Sequence, residues 1–344
     1  MTSVLSPFPF HRLIIQPRTS DSCVLSQAFD CARTRFLADM DPILATIIFV
    51  SGLAFGSFLN VCIYRMPLGL SVVKPRSSCP NCKTPIAAYD NVPVLSWLIL
   101  RGRCRNCKIS ISPRYLLIEL LNGLLFLACY WYFGLTLFTI KYCVFAFLLL
   151  GLIFTDAETK ILPDQLTLTG LGLGIGFSLI VPVNDLASQF LTAGVNLPFS
   201  DAITLRLWSL TDSLLGAAVG ASFIYGAGAI YLRWRGAEGM GFGDVKLMAM
   251  VGAFLGMKLT VFTIFAASLA GSVFGLAAVF IVWMKRTRRF MKRLTAQAAR
   301  KRAWQSAQVI YRNYQMPFGV FLGSMALLAC FFGERMLHWY GRFW

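Results

Sequence analysis

Residues 239–250 read GMGFGDVKLMAM, and the chain then continues as VGAFLGMKLTVFTIFAASLAGSVFGLAAVFIVWM to Met284 with Lys258 as its one charged side chain. A glycine-rich turn thus delivers a single carboxylate, Asp244, to the mouth of a long apolar run. Runs of this kind are long enough to cross a bilayer. The whole chain agrees, since 57% hydrophobic against 14% charged residues lies far outside the range of soluble domains. Nearly uncharged stretches at 43–64, 115–133, 135–155, 165–183, 207–232, 245–257, 260–284 and 317–333 predict about eight transmembrane helices. The fold class is therefore an all-α polytopic membrane protein. The 245–257 run is short for a full span, so that helix is expected to be tilted or shielded by neighbours.

The net charge of +17 is concentrated in two places. Arg65, Lys74, Arg76, Lys83, Arg101, Arg103, Arg105, Lys108 and Arg114 face only Asp90 within 65–114. Lys285, Arg286, Arg288, Arg289, Lys292, Arg293, Arg300, Lys301, Arg302 and Arg312 face no acid within 285–316. The positive-inside rule places both segments in the cytoplasm. Membrane lipids with anionic head groups are the expected counter-charge, and nucleic acid is not expected as a partner. Alternation along the chain then puts the turn at Asp156 and the segment 233–244 on the cytoplasmic side and 184–206 outside. Residues 1–42 contain no span and no targeting pattern and read as a disordered extension. Met40, just ahead of the first span at 43–64, is an alternative start. The bundle runs over 115–333, and 334–344 form a short tail.

Within the 65–114 loop, CPNC at 79–82 and CRNC at 104–107 form two C-x2-C hooks about twenty residues apart. That is the spacing of a four-thiolate zinc site, with Cys79, Cys82, Cys104 and Cys107 as ligands. A redox disulfide is the rival reading, and a reducing cytosol disfavours it. Four thiolates fill the coordination shell, so the metal is structural. Cys23, Cys31, Cys62, Cys129, Cys143 and Cys330 read as packing residues or free thiols.

Besides Asp244, TDAETKILPDQLT at 155–167 places Asp156 at the end of one span. A carboxylate at a helix start has an ordinary use as a cap. Two aspartates brought together near lipid have another, because close like charges in low dielectric oppose double ionisation and share one proton. The ionised member then serves as base toward water while the protonated one polarises a peptide carbonyl. Gly241 and Gly243 remove side-chain bulk just before Asp244 and let an extended peptide approach. Asp164 competes with Asp156 as the partner, although Pro163 breaks the helix there and makes Asp164 the natural cap of the next one. Glu158 reads as solvated, and Glu119, inside the second span, needs a polar partner for which Arg114 is the candidate. Spacing alone does not bring Asp156 and Asp244 together.

From about Phe55 to Gly323 the chain carries, in order, FGSFLNVCIYRMP, CPNCKTPI, NVPVLSWLILRGRCRNC, SPRYLLIELL, DAETKILPDQLT, GMGFGDVKLMAMVGAFLG and MPFGVFLG. This series resembles the bifunctional type IV prepilin peptidases, GxGD-type membrane aspartyl proteases. The resemblance implies cleavage of type IV prepilins or type II secretion pseudopilins after a basic leader. It also implies N-methylation of the new terminus from S-adenosylmethionine, an inner-membrane location and an active site facing the cytoplasm. It maps the catalytic pair onto Asp156 and Asp244 and the zinc ligands onto the four loop cysteines, and it leaves cofactor-binding residues unassigned. A transporter with intramembrane carboxylates and a zinc-ribbon membrane adaptor without peptidase activity are the alternatives. The first predicts acids near the midplane and inverted repeats, and the second leaves the aspartates unexplained.

Overall fold

The computed structural model describes residues 41–181, 201–236, 240–292, 295–313 and 317–341. The expectations for 1–40, including a start at Met40, and for most of the outer loop at 184–206 lie outside the described residues, as do Cys23 and Cys31. The chain separates into two units, 1–46 and 47–344. Only 41–46 of the first is described, and it forms the opening turn of a helix.

Nine α-helices of at least five residues carry the described chain: α1 Pro42–Arg65, α2 Leu95–Ile99, α3 Arg114–Phe133, α4 Leu137–Thr159, α5 Asp164–Ile180, α6 Asp201–Arg235, α7 Phe242–Phe290, α8 Ala296–Asn313 and α9 Phe318–Gly341. Six of these elements are long and apolar enough to span a membrane. The 17-residue α5 is one more apolar helix just below that length. The remaining difference from eight spans lies in α7, which is continuous except at Gly256, where φ is 78° and ψ is 175°.

That break reverses the chain. A side-chain carbon added at Gly220 of α6 would lie 2.5 Å from the Met248 carbonyl oxygen and 3.1 Å from Thr260 Cγ2. Twelve residues of uninterrupted helix would separate those two atoms by about 18 Å. The two limbs of α7, before and after Gly256, therefore stand side by side against α6 and correspond to the expected spans at 245–257 and 260–284. Glycine is required at 256 because side chains rarely adopt its positive φ.

Small residues let these helices meet. A carbon added at Gly252 would fall 2.1 Å from the Gly216 carbonyl oxygen, so the backbones of α6 and α7 touch through Gly216 and Gly252. In lipid, apolar burial gives helices little reason to associate, and such close approach supplies dispersion contacts instead. Ser213 Oγ adds a hydrogen bond to the Ala253 carbonyl at 2.8 Å. The same limb of α7 joins a buried cluster of Phe145, Leu149 and Leu152 from α4, Leu166 from α5, Leu247, Met250 and Phe254 from α7, and Leu322 from α9. Phe145 and Phe254 stack at 4.7 Å. The cluster fixes the ends of α4, α7 and α9 relative to one another.

The described residues of the basic 285–316 segment are largely helical. The second limb of α7 runs on to Phe290, and α8 folds back on it with Ala299, Ala303 and Ala307 buried at one-turn spacing. Trp283 Nε1 donates to the Arg300 carbonyl across this hairpin.

Candidate functional site

Asp156 occupies the last turn of α4 and Asp244 the first turn of α7. Both are nearly buried, at 5% and 8% exposure. They meet at the start of α9: a carbon added at Gly319 would lie 2.8 Å from Asp156 Oδ2 and 3.3 Å from Asp244 Oδ1. A single methyl-sized point thus touches both carboxylates. The Val320 N–H donates to Asp156 Oδ2 at 2.9 Å. Val320 lies in the first turn of α9, where backbone N–H groups have no partner within the helix and attract negative charge. Sequence reasoning did not single out Gly319 and Val320, although MPFGVFLG contains both. The available signal was a glycine two residues after Pro317 at a helix start, a place that needs no conformational freedom and so asks for another explanation.

The two glycines before Asp244 have different surroundings. A side chain at Gly243 would meet Leu162 Cβ at 3.0 Å, so this glycine lets the α4–α5 turn pack against α7. At Gly241 the nearest atoms are the Gly243 nitrogen at 3.9 Å and Asp244 Oδ2 at 4.0 Å, which leaves room beside the carboxylate. Asp164 is not part of the pair. Its carboxylate is exposed and receives Lys246 Nζ at 2.6 Å. Lys246, two residues from Asp244, is thereby turned to α5, as expected of helix positions that face different ways.

Two expectations for nearby acids are corrected. Glu119 does not pair with Arg114; it accepts the Val94 N–H at 2.8 Å. Residues five apart on a helix point to different sides, and Arg114 instead binds Glu158, which is therefore paired and not merely solvated. That ion pair fastens the end of the cysteine loop to α4, two residues beyond Asp156.

The four loop cysteines converge. The sulfurs of Cys79, Cys82, Cys104 and Cys107 all lie within 4.8 Å of one another, and Cys79 and Cys107 are 3.7 Å apart. Tetrahedral coordination at about 2.3 Å per sulfur separates neighbouring sulfurs by about 3.8 Å, so the set fits one ion. All four are free thiols, which sets aside a disulfide between them.

The hooks are built alike. The Cys79 N–H donates to Thr84 O and the Lys83 N–H to Cys79 O; the Cys104 N–H donates to Ile109 O and the Lys108 N–H to Cys104 O. Lys83 and Lys108 both have φ of 57°. Asn106 Nδ2 joins the hooks through Thr84 Oγ1 at 3.0 Å, and Arg105 binds Asp90 by two hydrogen bonds. Thr84 draws the Cys82 thiol down to about 6, and the Ile109 N–H draws Cys107 down as well. Cys79 goes the other way: backbone N–H groups of Cys82 and Asn81 favour its thiolate, but burial and the crowding sulfurs of Cys82 and Cys104 outweigh them. Adjacent thiolates resist further ionisation until a cation joins them.

Comparison with known proteins follows the same division. A profile for the bacterial peptidase A24 N-terminal domain matches residues 50–133, and one for the type IV leader peptidase family matches 143–276. A prepilin leader peptidase/N-methyltransferase of Myxococcus xanthus is 40% identical over 237 residues, covering 68% of this chain and 63% of that protein. Proteins of the same description from Neisseria gonorrhoeae and Aeromonas salmonicida are 35% and 30% identical, over 69% and 86% of this chain and 83% and 93% of theirs. The chain thus spans somewhat less than two thirds of the Myxococcus relative and most of the other two. No solved structure matches.

Proposed function

The chain belongs to the type IV leader peptidase family, and we propose that it cuts the leader from type IV prepilins or related pseudopilins at the cytoplasmic face of the bacterial inner membrane, then methylates the new terminus. One observation carries the hydrolytic half: Asp156 from the end of α4 and Asp244 from the start of α7 converge on the Gly319 position at the start of α9.

Asp156 and Asp244 are the catalytic residues in this reading. Two carboxylates so close and so little exposed hold one proton between them. The Val320 N–H and the α9 terminus stabilise charge on Asp156, which makes it the base. It takes a proton from water, and the water oxygen attacks the scissile carbonyl carbon. Asp244 gives its proton to the carbonyl oxygen. Collapse of the tetrahedral intermediate breaks the C–N bond, with the proton taken by Asp156 passing to the leaving amine and one hydroxyl proton of the diol returning to Asp244. Space beside Gly241 admits the extended peptide.

Cys79, Cys82, Cys104 and Cys107 would hold a structural zinc ion, which supplies cross-linking of the two hooks and no open position for substrate. S-adenosylmethionine supplies the methyl group. A cleft lies between α1 and the cysteine loop, on the stripe Ala54, Ser57, Phe58, Val61 and Arg65. That stripe faces away from Leu59, Cys62 and Ile63, the side of α1 that packs on the bundle. Its charged lining is Arg65 and Arg76, which does not suit a donor of net positive charge, and we assign no donor pocket there.

A transporter reading would have its acids near the bilayer midplane, whereas these stand in terminal turns. The test is direct. Purified protein given a synthetic prepilin should release the leader and, with S-adenosylmethionine, add one methyl to the new amine. Metal-loaded, folded protein that leaves the peptide intact would exclude the reading.

A further inference from the structure

The cleft that does not suit the methyl donor has features of its own. It measures about 440 Å³ and is walled on one side by α1 and on the other by loop residues on both flanks of the first cysteine hook, Val72 to Ser77 and Ile86 to Pro93. Arg65 is the last residue of a membrane-spanning helix, so the cleft opens where head groups lie. Arg65 Nη1 donates to the Ser71 carbonyl at 3.0 Å, which aims the guanidinium along the loop and leaves further N–H groups available. Arg76 is exposed on the opposite wall. Among the described residues no acid lines the cleft: Glu119, behind Ser57, is buried and held by the Val94 N–H, and the loop's Asp90 is occupied by Arg105.

Below the cleft an apolar track continues on the same face of α1. Ile47, Val50 and Phe58 are 58%, 55% and 45% exposed, and they fall in line with Ala54, Val61 and Arg65 at helical spacing. From residue 47 to residue 61 the track is about 21 Å long. One leaflet's hydrocarbon is about 15 Å deep, so an acyl chain matches it.

We propose that this cleft binds one anionic glycerophospholipid, its phosphate between Arg65 and Arg76 and one acyl chain on the Ile47–Val61 track. Zwitterionic lipids bring an ammonium that finds no carboxylate here. Because the walls come from both α1 and the cysteine loop, the lipid fastens that loop to the membrane-spanning bundle. Binding to the assembled state alone stabilises it by RT ln(1 + L/Kd), where L is the free lipid concentration. The site is independent of the peptidase reading, since its partner is lipid and its readout is binding.

The test uses full-length protein, stripped of lipid in detergent and then offered phosphatidylglycerol, phosphatidylcholine, glycerol 3-phosphate or inorganic phosphate. Native mass spectrometry should retain one phosphatidylglycerol per chain, and amide exchange over 72–93 should slow with it. Phosphatidylcholine and the soluble phosphates should do neither. Arg76→Gln, at an exposed position, and the Arg65→Gln, Arg76→Gln pair should lower retention at least tenfold with metal content unchanged. Arg101→Gln with Arg103→Gln removes the same charge elsewhere in the loop and should leave retention intact. Equal retention of phosphatidylcholine, protection by inorganic phosphate alone, or equal loss in the Arg101, Arg103 variant would each overturn the proposal.

Discussion

Gly319→Ala tests the geometry of the site with a single carbon atom. The new Cβ would lie 2.8 Å from Asp156 Oδ2 and 3.1 Å from its Cγ, against ordinary contacts of 3.4 Å or more. Asp156 must therefore move by over half an ångström, away from the Val320 N–H that holds it. Displacements near 1 Å in a catalytic constellation cost about 10²-fold, or ~2.7 kcal/mol in the barrier. The expected result is a fall of that order in kcat for leader cleavage. KM should change little, because the three atoms nearest the added carbon all belong to the two carboxylates. Val320→Pro isolates the hydrogen bond: it deletes a donor that the first turn of α9 does not use and is compatible with a helix start. Read against Val320→Ala, which keeps the N–H, it should lower kcat further. The assay is mass-spectrometric cleavage of a synthetic prepilin by purified, metal-loaded protein. Gly319→Ala cutting at the parental rate would refute the placement of both carboxylates around α9.

Other consequences are simpler to read. Purified protein should contain about one zinc per chain, and Cys79→Ser with Cys104→Ser should lose it and expose 72–110 to proteolysis; full metal occupancy in that pair would contradict the four-sulfur site. Asp164→Asn removes only an exposed ion pair with Lys246, worth at most about 1 kcal/mol, and should still cleave. Gly252→Ala places a carbon 2.1 Å from the Gly216 carbonyl oxygen and should lower the thermal midpoint in detergent by several degrees, whereas Gly172→Ala, with open space around it, should not.

What the sequence disclosed follows from what kinds of residue carry the information. Apolar runs marked the spans because lipid excludes charge over a fixed length, and Lys258 separated 245–257 from 260–284 although no loop lies between them. The reversal itself depends on Gly256 φ, which no neighbouring residue announces. Four cysteines were legible as a set because thiolate ligands recur at fixed spacing. Gly319 was not legible as part of the site, since its contribution is an absent side chain, and the Val320 donor is backbone. Glu119 found its partner in the Val94 N–H, a contact between residues 25 apart that side-chain pairing rules do not address. The 285–316 segment read as a loop from its charge, but its alanines at 299, 303 and 307 are the stripe that folds α8 onto α7.

The central claim is that Asp156 and Asp244 together perform peptide hydrolysis, and replacing each carboxylate by an amide tests it most directly. Asp156→Asn and Asp244→Asn should each insert, bind zinc and fail to release the leader from a synthetic prepilin, because an amide can neither accept the water proton nor supply one. Given a peptide already trimmed to its mature N-terminus, both variants should still transfer a methyl group from S-adenosylmethionine. Cleavage near the parental rate by either folded variant would contradict the claim.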